Sequence, residues 1–155
     1  MEGYAHILRG IAAQLDCPPV KDIAAKPGIQ AVYRVTVHYP DMRASDAVAT
    51  LVYAGARNAV LETRYRGHFN NKPLRRHLDT PDYLAFSRAF TPTLFDRLPD
   101  QSDILFYGAD LWLIERGAGS FVKGVIIAPQ TATGVYAKLL GAVRTHLPEA
   151  VRAIK

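Results

Sequence analysis

Residues 103–129 read DILFYGADLWLIERGAGSFVKGVIIAP. Three apolar runs, 104–107, 111–114 and 121–128, are separated by Gly108-Ala109-Asp110 and by Gly117-Ala118-Gly119. Runs this short, rich in β-branched and aromatic residues and bounded by Gly and Asp, read as strands joined by hairpins. The expectation is a three-stranded antiparallel meander. Leu105, Tyr107, Leu111 and Leu113 fall on one register and Ile104, Phe106, Trp112 and Ile114 on the other, so both faces are apolar. Such strands need cover on both faces. Helices are expected on one face, and another part of the chain or a second subunit on the other, which is the ground for expecting a homodimer.

The first half of the chain carries a meander of a different kind. After Lys26-Pro27-Gly28, strict alternation places Ile29, Ala31, Tyr33, Val35, Val37 and Tyr39 on one face and Gln30, Val32, Arg34, Thr36 and His38 on the other. Alternation resumes over 46–53, with Ala47, Ala49, Leu51 and Tyr53 inward. It returns after Gly55-Ala56-Arg57-Asn58, with Ala59, Leu61, Thr63 and Tyr65 inward. Period-two patterning marks strands with one buried face. The outer face, with Arg34, Glu62, Arg64, Arg66 and His68, is expected to be wet and basic.

Helices are expected around these meanders. Tyr4, Ile7, Leu8, Ile11 and Leu15 recur at helical spacing over 3–16, and Pro18-Pro19 stops the run. Residues 68–78 read as polar and irregular. Thr80-Pro81-Asp82 and Thr91-Pro92 are cap-and-proline starts, predicting helices over 81–90 and 92–98 with Phe86, Phe90, Leu94, Phe95 and Leu98 inward. Thr133 caps a last helix carrying Val135, Leu139, Leu140, Val143 and Leu147. The fold class is thus α+β: two three-stranded antiparallel β-meanders with helices before, between and after them, packed on one face of the sheet, in a single domain over 1–155. In element order this resembles the small type III secretion chaperones. The resemblance implies a dimer, although those chaperones are acidic and this chain is basic.

Length and composition fit that reading. A chain of 155 residues buries roughly 70% of its unfolded surface as one domain. No run is apolar and long enough to span a bilayer, and residues 1–15 lack the pattern of a secretory signal. The single cysteine, Cys17, has no internal disulfide partner, and a reducing, cytoplasmic setting is expected. With no second Cys or His nearby in sequence, Cys17 reads as a boundary residue and not a reactive thiol.

The net charge of +5 is concentrated. Between positions 57 and 76 lie Arg57, Arg64, Arg66, Lys72, Arg75 and Arg76 against the one acid Glu62, which accounts for the whole excess. Localised basicity is what a surface for an anionic partner requires. Arg34, Arg64, Arg66, Lys72, Arg75 and Arg76 are therefore the candidate anion- or nucleic-acid-binding residues, with Phe69 as a stacking platform.

The sequence carries no nucleophile-elbow, zincin, C-x-x-C, Walker A or dinucleotide-binding motif. No catalytic residues, metal ligands or cofactors are assigned. His38, His68 and Glu62, on outward registers, could meet in a pocket with Arg64. Glu115 and Lys123 flank the Gly117–Gly119 turn and are expected to pair across it. The leading expectation is a non-catalytic binding or adaptor module, dimeric, with a protein or anionic partner and no membrane association. The alternatives are a nucleic-acid binder using 57–76, and a small-molecule enzyme with a pocket near His38, Glu62, Arg64 and His68.

Overall fold

The computed structural model describes residues 2–55, 58–102, 104 and 108–155. The two halves of the chain join in one six-stranded antiparallel sheet. Its strands are β1 (Ala31–His38), β2 (Ala47–Tyr53), β3 (Ala59–Tyr65), β4 (Leu74–Leu78), β5 (Leu111–Ala118) and β6 (Phe121–Ile127). They lie in the order β4-β3-β2-β1-β5-β6, so β1 is the seam between the two halves. The helices are α1 (Glu2–Gln14), α2 (Val20–Ala24), α3 (Thr80–Phe90) and α4 (Gly134–His146).

The first meander, β1-β2-β3, forms in the expected registers. In the second, β5 and β6 form the hairpin. Of the third expected strand, Ile104 is buried outside any strand, and 105–107 lie outside the described residues. The hairpin turn falls at Gly119-Ser120, because Ala118 and Phe121 still pair and Gly117 lies within β5. Gly117 has a packing reason to be there: a Cβ would stand 2.8 Å from Val20 Cγ1 and 3.1 Å from Ala24 Cβ. A glycine inside a strand often marks such a close approach.

Helices cover both faces of the sheet, where the sequence predicts helices on one face and leaves the second cover to another part of the chain or a second subunit. On one face Phe86, Phe90, Leu139, Leu140 and Val143 of α3 and α4 pack on Tyr33, Val35, Leu51, Trp112 and Ile114. The Tyr33 ring meets Phe86 at 5.0 Å and Phe90 at 5.2 Å, edge to face. On the other face Leu8 and Ile11 of α1, with Leu15 just past its end, pack on Val48, Leu111, Leu113 and Ile126. Val20 and Ala24 of α2 cover Val32. Each large aliphatic side chain fully buried this way is worth about 1.5–3 kcal/mol, so three such residues anchor α1. The physical reason for two-sided cover is that β1, β2, β5 and β6 carry apolar residues on both registers. For β5 and β6 the second cover is therefore α1, from the same chain, and the particular argument for a second subunit does not hold.

Further corrections are local. Residues 74–78 form the edge strand β4, exposed except at Leu78, and its polar composition is what an edge facing water tolerates. Residues 20–24 form α2, a helix that the sequence reading does not assign. The cap of α3 is Asp79, whose carboxylate accepts the Asp82 N–H at 2.8 Å. Residues 92–98 are two single 3-10 turns broken by Leu94, which is left-handed (φ 52°) and points outward.

Candidate functional site

One row of side chains crosses the whole sheet, its β1, β5 and β6 members beneath α1 and α2 and its β3 and β4 members open to solvent. In register from edge to edge stand Arg75 (β4), Glu62 (β3), Thr50 (β2), Arg34 (β1), Glu115 (β5) and Gly124 (β6). The row is held by three contacts. Arg75 Nε lies 2.8 Å from Glu62 Oε1. Arg34 Nε–H donates to Thr50 Oγ1 at 3.0 Å. Arg9 Nε–H reaches down from α1 to Glu115 Oε2 at 3.1 Å. Gly124 leaves the room for that reach, since a Cβ there would stand 3.1 Å from Arg9 Nη2.

Two clefts open along this row, and they meet at Arg34 and Cys17, which line both. The first, about 630 Å³, lies between α1, the start of α2 and the β5–β6 hairpin, with Ala12, Ala13, Val20 and Val122 among its walls. The second, about 550 Å³, lies over β2, β3 and β4, with Ile23, Ile29, Val52 and Val60 supplying apolar wall. Arg9 and Lys21 border the first; Lys26, Arg64 and Arg75 border the second. The carboxylates among the lining residues are Glu115 and Glu62, and each is already in an ion pair.

Arg34 is the unusual member. It is 3% exposed, and among the described residues its side chain makes no ion pair and no hydrogen bond besides that to Thr50. Burial pulls its guanidinium below the ordinary range, with Cys17 and Glu115 opposing. Burial likewise pushes the Cys17 thiol up, against the pull of Arg34 and Arg64, which keeps it protonated. A protonated thiol is a poor nucleophile.

The expected site residues divide between two regions. Arg34, Arg64, Arg75 and Glu62 come together on the second cleft. Arg34 is buried in the floor, not on a wet outer face, because α1 and α2 cover the register that the sequence leaves open. Arg64 also donates to the Asn71 carbonyl at 2.8 Å. Arg66 pairs with Asp46 at 3.2 Å, Arg76 pairs with Glu149 at 2.5 Å, and Lys72 is exposed. His38 and His68 do not join Glu62. His38 lies four residues along β1 from Arg34, roughly 13 Å at strand rise, and its Nδ1 meets Asp46 Oδ1 at 3.0 Å. His68 stands against the Phe69 ring. Lys123 sits opposite Arg116 and not Glu115, so the expected Glu115–Lys123 pair is replaced by Glu115–Arg9. A one-residue difference in register puts the lysine on the other face.

Arg9, Lys21, Lys26 and Thr50 escape a sequence reading, because their role depends on which helix lies over which strand. Among the described residues no group of His, Cys, Asp and Glu is placed to hold a metal ion, and no helix is long and apolar enough to cross a membrane. Comparison with known protein families and with curated proteins finds no match for this chain.

Proposed function

We propose that the chain is a non-catalytic binding module whose ligand occupies the crevice between the α1–α2 corner and the sheet. The observation that carries this reading is the meeting of two clefts of about 630 and 550 Å³ at one buried guanidinium. Ligand sites are concave and mostly apolar, with a few placed polar groups, and this crevice has that make-up. A thiol held protonated, with both cleft carboxylates in ion pairs, favours binding over general acid–base or nucleophilic chemistry. Ala13, exposed on α1 at the cleft wall, gives the test. Small molecules that raise the melting temperature of the wild type should lose that effect in Ala13→Trp, which fills the larger cleft. Ligands that stabilise both proteins equally would place the site outside the larger cleft.

Nucleic-acid binding is the second reading, favoured by Phe69 half-exposed beside Lys72. It competes with the protein's own acids for Arg66, Arg75 and Arg76. Oligonucleotide anisotropy should then fall steeply with salt and vanish on neutralising Arg64, Arg66, Arg75 and Arg76. Binding unchanged in that variant would remove the reading.

A further inference from the structure

We infer that the crevice takes an organic carboxylate with an apolar body, its acid group on the Arg34 guanidinium and its body in the larger cleft, along Ala12, Ala13, Val20 and Val122. This rests on the crevice being the ligand site and adds the chemical class of the ligand. Three observations converge on it. Arg34 is nearly fully buried, and the one hydrogen bond of its side chain among the described residues uses Nε. The nearest candidate acid in register, Glu115, is taken by Arg9. The clefts that meet at Arg34 have largely apolar walls under a cationic rim.

An isolated charge held out of water is costly unless a counter-charge or hydrogen bonds compensate it. Arginine presents its remaining donors as a planar fork that matches a carboxylate with two parallel hydrogen bonds. Glu115 stands beside Arg34 but is bonded to Arg9, so a bound carboxylate would supply the direct ion pair that Arg34 lacks among the described residues, while Lys21 and Lys26 at the rims favour approach of an anion. An uncharged molecule would fill the same walls without compensating Arg34. A cation would face the same guanidinium with the wrong sign. The chemistry therefore distinguishes three compounds of equal chain length.

The experiment is titration calorimetry of the full chain with decanoate, decanol and decyltrimethylammonium, at low and near-physiological salt. Decanoate should bind at least tenfold more tightly than decanol, with decyltrimethylammonium weakest. Ala13→Trp or Arg34→Met should remove the preference for the acid. The wild-type comparison stands without any variant, so a misfolded Arg34→Met does not obscure it. Equal binding of decanoate and decanol, both blocked by Ala13→Trp, would overturn the carboxylate assignment and leave the crevice as the site. Decanoate binding undiminished in a folded Arg34→Met would overturn it too. No binding of decanoate at any salt would overturn it as well; the small-molecule screen against Ala13→Trp then separately decides whether the crevice binds anything.

Discussion

Arg34 and Glu115 stand directly opposite each other on β1 and β5, yet each is bonded elsewhere. Glu115 accepts from Arg9 of α1 at 3.1 Å, and Arg34 donates to Thr50 of β2 at 3.0 Å. The result is a buried cation and a buried anion side by side, with the anion paired to a half-exposed arginine and the cation left to the crevice.

That arrangement sets the stability cost of the site. In Arg34→Met the buried charge disappears and no carboxylate is orphaned, because Glu115 keeps Arg9. Holding a charge without a direct ion pair out of water is costly, which outweighs about 1 kcal/mol for the lost Thr50 hydrogen bond. Ligand-free Arg34→Met is expected to melt a few degrees above wild type, as read by calorimetry. A clear fall in melting temperature would show that the guanidinium stabilises the free protein.

Gly117 fixes how closely α2 sits on β5. Its substitution by Ala puts a methyl group 2.8 Å from Val20 Cγ1. Overpacking of this kind costs about 1–3 kcal/mol, and here it also lifts the wall of the larger cleft. Gly117→Ala should lower the denaturation midpoint in urea and weaken any ligand of the crevice together. Unchanged stability would mean that α2 gives way freely.

Asp46 ties the β1–β2 end together: it accepts from His38, from the Tyr39 backbone N–H and from Arg66. Burial pushes its carboxyl up, but the His38 and Tyr39 hydrogen bonds and the charges of His38 and Arg66 outweigh this and hold it below the ordinary value of 3.8. A depressed carboxylate stabilises the fold above its unfolded value, and that contribution is lost as pH falls through the lower, folded value. Asp46→Asn should therefore cost about 1–3 kcal/mol near neutral pH, and the gap to wild type should narrow below 3.8. Urea unfolding of both proteins from neutral pH to about pH 3 reads this out. A gap that stays constant across that range would show that the ionised form is not what matters.

Much of the sheet is legible in the sequence. The alternation of Ala31, Tyr33, Val35 and Val37 assigns a face to every residue of β1, since the strand period is two, and that face meets α3 and α4 as expected. The apolar registers of 111–114 likewise announce two-sided cover for β5. Alternation does not say whether the second face is open. Arg34 and Thr36 look outward by pattern alone, but both are buried because α1 and the short, unsignalled α2 cross their register.

The sequence by itself determined the α+β class, the strand faces, the localised basic charge and the absence of familiar catalytic motifs, because those follow from periodicity and composition. Only the tertiary structure decided that the halves meet along β1, that Arg9 takes Glu115 and that Arg34 is left facing two clefts. Pairing of charges depends on distances between residues as far apart in sequence as Arg9 and Glu115. Local periodicity carries no information about which of several arginines reaches a buried acid first.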